Sequence, residues 1–284
     1  MDINILQGDC IESLKKLENQ SINTCITSPP YWGLRNYNDE EKQLGMEDTP
    51  EEFTENLVKV FREVKRVLRD DGTVWLNLGD SYGKNKQLTG IPWRVAFALQ
   101  QDGWYLRQDI IWHKPNPMPE SVKDRCTKAH EYIFLLSKNV KYYFDNEAIK
   151  EDAKYPQGPN SPQSIKKGKG EFGMDTRGGL SKIGALAKKN KRSVWTITTK
   201  PFKGAHFATF PKDLIEPCVL AGCPEGGTVL DPFGGSGTTG IVAAQHNRNA
   251  VLLELNQEYI DLAKDRINNE LGMMANLKCE KEKI

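Results

Sequence analysis

Apolar residues come along this chain in short bursts, and the bursts switch between a period of two and a period near four. Ile3–Leu6 is a short apolar run that stops at Gly8-Asp9-Cys10, and Ile11–Leu17 repeats at helical spacing. Ile22–Thr27 is rich in β-branched residues and runs into Ser28-Pro29-Pro30, where two prolines must halt any regular element. A clearer helix follows. Thr49 stands at its N-cap and Pro50 at its first position, and Glu52 completes a capping box. Phe53, Leu57, Val60, Phe61, Val64 and Leu68 then recur on one face until Asp70-Asp71-Gly72. Thr73–Leu78 reads as a strand ending at Gly79-Asp80, Pro92–Gln101 as a helix, and Leu106–Trp112 and Tyr132–Leu136 as strands.

The alternation breaks between about residues 151 and 193. Ten Lys/Arg face four Asp/Glu there, with seven Gly and three Pro and little apolar periodicity. This stretch reads as a long loop or small insertion. Order returns at Ser193–Thr199, a short strand, and Pro211–Ala221, a helix. Thr228–Leu230 is a strand that opens into Asp231-Pro232-Phe233-Gly234-Gly235-Ser236-Gly237-Thr238-Thr239-Gly240. A helix to about His246, the strand Ala250–Leu253 ending at Glu254, and the helix Glu258–Asn269 complete the pattern. Strands alternating with helices predict an α/β fold with a doubly wound, mostly parallel sheet.

Composition narrows the classes. The chain has 284 residues, 38% of them hydrophobic, enough for one large domain or one domain with a smaller appended part. The net charge of +1 leaves no global basic surplus, so a nucleic-acid partner would be held by a local patch. The six cysteines form no CxxC pair, which argues against a zinc site and against a disulfide framework. No metal is expected. No signal peptide and no membrane-length apolar run is visible, and the expectation is a soluble, reduced, cytoplasmic protein.

Two motifs carry chemistry. Gly235-x-Gly237-x-x-Gly240 sits between a strand and a helix, with the acid Glu254 at the end of the next strand. Such a turn lets a ligand approach the backbone, and such an acid accepts from ribose hydroxyls. A nicotinamide dinucleotide and S-adenosyl-L-methionine both suit the turn. Asp231 favours the ammonium of the second and opposes the pyrophosphate of the first. Asp9, Ser28, Asp80, Asp231 and Glu254 all fall at predicted strand carboxyl ends, and an acidic crevice suits a cationic cofactor.

Ser28-Pro29-Pro30-Tyr31 follows a strand as well. An exocyclic base amine is a poor nucleophile, because its lone pair is delocalised into the ring. Acceptors aimed at its N–H bonds free that lone pair. The Ser28 hydroxyl and the Pro29 carbonyl can both accept, proline has no N–H to repel the amine, and Pro30 fixes the loop. Tyr31 offers a ring for a base to stack on, and Trp32 beside it is a candidate to line the target pocket. A base reaches such a pocket only by turning out of the duplex. Trp75, Trp93, Trp104 and Trp112 read as core. Asp80 is a further candidate to border the cofactor or the base, and His113 and His130 read as structural or DNA-contact residues.

With both motifs in view, the sequence resembles the amino-methyltransferases of DNA in their permuted, β-class arrangement, with the catalytic motif Thr27–Tyr31 preceding the cofactor motif Asp231–Thr239. The resemblance spans nearly the whole chain. It includes Gly8-Asp9-Cys10, Trp112-His113-Lys114-Pro115, His130-Glu131-Tyr132 and His206-Phe207-Ala208-Thr209-Phe210-Pro211. It implies a Rossmann-like methyltransferase fold that binds S-adenosyl-L-methionine. Asp231, Phe233, Gly235, Gly237 and Thr238 would hold the methionine part, with Pro232 and Ser236 also among the cofactor-binding residues, Glu254 and Asn256 would hold the ribose, and Asp9 with Cys10 would lie near the adenine. Residues 28–31 would take the target amine, and Ser28 points to cytosine N4, with adenine N6 as the alternative.

The expected division is a catalytic half over 1–149, a basic target-recognition insertion over 150–203, a cofactor-binding half over 204–270 and a frayed tail over 271–284. In the insertion, Lys166, Lys167, Lys169, Lys188, Lys189, Lys191 and Arg192 are candidates to neutralise phosphates of double-stranded DNA. A homodimer and a companion restriction endonuclease are both compatible with this reading. Direct in-line transfer is expected, with no Pro-Cys nucleophile. A nicotinamide-dependent oxidoreductase and a non-catalytic DNA-binding protein are the competing classes.

Overall fold

The computed structural model describes residues 1–33, 44–83, 85–152, 188–199 and 210–281. Two compact units are present, one of Met1–Asp145 with Ser193–Ile284 and one of Asn146–Arg192.

The larger unit is built on nine strands: β1 (Asp2–Gln7), β2 (Ile22–Thr27), β3 (Leu68–Leu78), β4 (Tyr105–His113), β5 (His130–Ser137), β8 (Val194–Thr196), β9 (Thr228–Asp231), β10 (Asn249–Glu254) and β11 (Asn276–Lys281). Its helices are α1 (Cys10–Lys15), α2 (Pro50–Val67), α3 (Ile91–Gln101), α4 (Lys212–Gly222), α5 (Thr238–Gln245) and α6 (Gln257–Leu271). The strands order as β11-β1-β10-β9-β2-β3-β5-β4-β8. β5 runs antiparallel to both of its neighbours, and every other pairing is parallel.

The local chemistry explains the elements. Thr49 accepts from the Glu52 amide at 3.2 Å and Pro50 opens α2, so the cap read from sequence is in place. Phe53, Leu57, Val60, Phe61 and Val64 are fully buried under α2 and pack with Leu14 of α1, Val95 and Leu99 of α3, and Cys25, Val74, Leu76 and Leu78 of the sheet. On the opposite face, α4 brings Gly222 against Trp75, Thr24 and Thr73, and α5 and α6 meet around Gly237, Ala263 and Ile267. The sheet is therefore covered on both sides, which is why its central strands are largely apolar.

Connectivity fixes where a ligand would bind. From β2 the chain crosses through α2 to β3 on one side, and from β9 it crosses through α5 to β10 on the other. β2 and β9 are neighbours, with Thr24 opposite Val229 and Cys25 opposite Leu230. Strand order thus reverses between them, and the crevice at their carboxyl ends is the switch point of the sheet.

Three details depart from the sequence reading. β3 begins at Leu68, but Ile22 pairs with Leu68 and Thr24 already with Thr73, so Arg69–Gly72 bulges out before regular pairing resumes. The described part of the tail is not frayed: β11 adds a parallel edge strand, with Ile3 opposite Leu277. Its exposed polar residues hide it in the sequence, because an edge strand is held by backbone bonds and tolerates charge. β8 belongs to the main sheet, with Trp112 opposite Trp195. In the smaller unit, β6 (Glu151–Asp152) pairs antiparallel with β7 (Lys188–Lys189).

Phe61 is completely buried. Phe61→Ala is expected to destabilise the protein by about 3–5 kcal/mol in urea unfolding, through lost burial and the cavity left behind.

Candidate active site

The two motifs meet at the switch point through one buried carboxylate. Asp231, at the end of β9, is 1% exposed. Its Oδ1 accepts from the Thr27 hydroxyl of β2 at 2.6 Å and from the Phe233 amide at 3.1 Å, and its Oδ2 accepts from the Thr239 hydroxyl of α5 at 2.6 Å. Burial raises its pKa to about 6, against the opposing pull of these three hydrogen bonds. Asp231 therefore does not face the crevice as an ammonium partner. A charge this deep is costly unless satisfied, and the chain satisfies it itself.

From Asp231 to Gly240 only Phe233 and Gly235 are partly exposed. Gly235 adopts φ +49°, and nothing lies closer than 3.9 Å to where its Cβ would stand, so a ligand can approach the backbone there. Glu254 binds the turn from the end of β10, its Oε2 accepting from the Gly235 amide at 2.8 Å and its Oε1 from the Asn256 amide at 2.9 Å. Burial raises the Glu254 pKa. Asn256 in turn caps α6, accepting from the Glu258 amide at 2.7 Å. The hydroxyls of Ser236 and Thr238 correct the sequence reading: both accept from Arg266 of α6, at 2.5 and 3.1 Å, and both residues are buried. They build the turn from behind.

At the neighbouring strand end, Gly8 donates to the Glu254 carbonyl at 3.0 Å, which sets Asp9 and Cys10 beside that acid. Asp9 caps α1 through Oδ1, which accepts from the amides of Ile11 and Glu12 at 3.0 Å each. Burial, then the Asp9 charge, pushes the Cys10 thiol up to about 12, so it stays neutral. Asp80 is also diverted: it accepts from the Thr89 hydroxyl at 2.8 Å and from the amides of Gly90 and Ile91 at 3.2 Å, which caps α3 from a distance.

Ser28-Pro29-Pro30-Tyr31 leaves β2 directly, with Pro29 buried and Ser28, Pro30 and Tyr31 half-buried. The Tyr31 ring lies on the backbone of β3's end. A Cβ at Gly79 would sit 2.5 Å from Tyr31 Cε2, so only glycine admits this packing. The phenol donates to Glu131 Oε2 at 2.7 Å. Burial, then the Glu131 charge, holds its pKa well above the usual phenol value. Glu131 Oε1 accepts from Lys114 Nζ, which lies 4.2 Å from the Trp112 ring centroid. Trp32 turns inward, its indole N–H donating to the Glu47 carbonyl at 2.8 Å and its ring packing against the core. It does not open toward a base.

Sequence reasoning placed Thr27 and Thr239 within the two motifs and Gly79 at a strand end without assigning their side-chain contacts, and it missed Asn77 and Arg266, whose partners are distant in the chain. It also overlooked Pro217-Cys218, a Pro-Cys pair by sequence. Cys218 is buried inside α4 and its thiol bonds back to the Leu214 carbonyl at 3.7 Å, so it is no nucleophile for a base. Of the basic candidates, Lys188 is exposed, while Lys189 and Arg192 pair with Glu151 at 3.8 and 3.0 Å. Lys166, Lys167, Lys169 and His206–Thr209 lie outside the described residues. Among the described residues no helix is long and apolar enough to cross a membrane, and no group of three or more His, Cys, Asp or Glu could hold a metal ion.

Asp231 carries a raised folded pKa, so its contribution to stability is greatest below its ordinary value of 3.8 and declines as pH rises to about 6. Asp231→Asn removes this titration. Urea unfolding is expected to show the stability gap shifting toward the variant by about 3 kcal/mol between about pH 4 and about pH 6.5.

Type II methyltransferase M.SmaI of Serratia marcescens is 47% identical over 291 residues, covering 93% of this chain and 90% of that protein. Type II methyltransferase M.Cfr9I of Citrobacter freundii is 45% identical, covering 94% of this chain and 88% of its own. A putative DNA modification methylase of Thermus thermophilus, solved with S-adenosyl-L-methionine, superposes with a TM-score of 0.65 at 26% identity over 97% of this chain and 99% of that one. The cytosine-N4-specific PvuII DNA methyltransferase shares the fold, with a TM-score of 0.70 at 21% identity over 94% of this chain and 86% of that one. Residues 22–265 match the N6/N4 DNA methylase family, and the chain belongs to that family.

Proposed function

We propose that this chain is a Type II DNA methyltransferase that moves a methyl group from S-adenosyl-L-methionine to the exocyclic N4 amine of cytosine in duplex DNA. The observation that carries the reading is that the amine-acceptor loop and the glycine-rich turn leave adjacent strands, β2 and β9, joined by the Thr27–Asp231 hydrogen bond.

The residues present suit the cofactor. Gly235 offers a backbone cradle that a Cβ would fill. Each Glu254 oxygen holds one amide, which leaves lone pairs for the two hydroxyls of a ribose. Phe233 is a half-buried ring of the turn, and the neutral Cys10 with Asp9 borders the same acid and suits an adenine. Asn256 supports Glu254 rather than the ligand. The bound cofactor supplies an electrophilic methyl group on a sulfonium. Ser28 Oγ and the Pro29 carbonyl accept the two N–H bonds of the amine and turn its lone pair toward that methyl. The C–S bond breaks as the N–C bond forms, and the methylated ammonium then loses one proton, so no strong base and no covalent enzyme–base bond is needed. The duplex is held by phosphate contacts from the basic insertion, Lys188 and Lys191 among them.

Labelled S-adenosyl-L-methionine incubated with varied duplex DNA, followed by mass spectrometry of the nucleosides, should give N4-methylcytosine. N6-methyladenine would move the target to adenine, and no incorporation in any duplex would overturn the reading. Ser28→Ala should slow transfer about 100-fold with S-adenosylhomocysteine affinity unchanged. A thermal shift with NAD in place of S-adenosylhomocysteine would favour an oxidoreductase.

A further inference from the structure

The glycine-rich turn does not set its own shape. Gly235 and Gly237 stand on either side of Ser236 with φ +49° and +78°, and glycine takes left- and right-handed backbone almost equally well. A turn hinged on two such residues is fixed by what grips it. In front, Glu254 Oε2 holds the Gly235 amide at 2.8 Å. Behind, the grip comes from Arg266 of α6, a residue that the methyl-transfer reading does not use. One nitrogen of its guanidinium, Nη1, donates to the Ser236 carbonyl at 2.7 Å, to the Ser236 hydroxyl at 2.5 Å and to the Thr238 hydroxyl at 3.1 Å.

The arginine is held in place as well. α6 lies directly on the turn, since a Cβ at Gly237 would stand 3.1 Å from Ala263 Cβ. Arg266 Nη2 lies 3.6 Å from Glu270 Oε1, and Glu270 Oε2 binds Lys212 at the start of α4. The Arg266 side chain is 12% exposed, Ser236 2% and Thr238 4%, so water is not at hand to replace these bonds. Without the guanidinium, three buried oxygens would lack their donor, and the flanking glycines would let Ser236 swing toward water. That swing moves the Gly235 backbone, the cradle assigned to the methionine end of the cofactor. We infer that Arg266 is a positioning residue for S-adenosyl-L-methionine: it holds the turn in its binding shape from behind, and so acts on the methionine end and not on the nucleoside. Holding a turn in its bound shape raises affinity. This inference rests on the assignment of the turn to the cofactor.

Two ligands separate the two ends. S-adenosylhomocysteine carries the amino-acid arm, and 5′-methylthioadenosine keeps the adenine, ribose and sulfur without it. Both are titrated into wild type and Arg266→Met below the melting temperature of each, with the thermal shift as a second readout for weak binding. Arg266→Met should bind S-adenosylhomocysteine about 10- to 30-fold more weakly and 5′-methylthioadenosine within about threefold of wild type. The KM for S-adenosyl-L-methionine should rise by the same factor, with kcat within about threefold of wild type. Ser236→Ala added to Arg266→Met removes an acceptor that has already lost its donor, so it should cost less than about twofold further.

S-adenosylhomocysteine affinity within about threefold of wild type in Arg266→Met, or an equal loss on both ligands, would overturn the inference. Arg266→Lys keeps a cation but not the planar fork, and it carries the same comparison if the Met variant melts below the assay temperature. A loss of about threefold or more confined to S-adenosylhomocysteine is expected there; no loss, or an equal loss on both ligands, overturns the inference too. Glu254→Ala runs in parallel and should weaken both ligands. If it binds both as wild type does, the assignment of this crevice to the cofactor has failed and the inference falls with it, a result distinct from failure of the Arg266 argument alone.

Discussion

The buried carboxylate of Asp231 is the contact on which the site depends. It lies at the point where strand order reverses, and its three donors come from β2, from the turn after β9 and from the start of α5. An ionised group without partners at that depth would cost several kcal/mol. The need to satisfy it therefore fixes all three segments at once. Because Thr27 immediately precedes Ser28, the same bond sets the amine loop against the glycine-rich turn. The in-line transfer proposed above would require donor and acceptor atoms about 3–3.5 Å apart and aligned, and the Thr27–Asp231 bond is the tether between the two loops on which that proposal relies.

The other acids at the sheet's carboxyl edge share a second theme. Asp9 closes the open amides of α1 and Asp80 those of α3. Glu254 joins the glycine-rich turn to the segment that Asn256 carries into α6. An edge that looks uniformly acidic in sequence is mostly neutralised by its own backbone. Glu254 keeps the lone pairs that the proposed function assigns to a ribose diol, and Glu131, in the antiparallel strand β5, faces Tyr31.

Much of this was legible in the sequence. The period of the apolar positions gave α2 with its cap, and proline and glycine punctuation marked the two loops on which the proposed site is built. The alternation gave the parallel sheet and hence the common edge where Asp9, Ser28, Asp80, Asp231 and Glu254 lie. The side-chain partners were not legible. Thr27 and Asp231 are 204 residues apart, and Glu131 stands in the sequence only within the His130-Glu131-Tyr132 segment of the resemblance, with nothing there to name Tyr31 and Lys114 as its partners. Ser236 and Thr238 look like ligand residues because they belong to the glycine-rich turn, and only Arg266 from a distant helix shows that they face inward. β11 escaped notice because an edge strand needs little apolar surface.

The most direct measurement of the tether is single-turnover methyl transfer by Thr27→Val, with cofactor and DNA saturating and S-adenosylhomocysteine affinity determined in parallel. The substitution keeps the shape of the side chain and removes the hydroxyl that reaches Asp231. Thr239 and Glu254 still hold the turn, so affinity should stay within about threefold, while the rate should fall more than about tenfold as the amine loop loses alignment. Transfer at the wild-type rate would contradict the account.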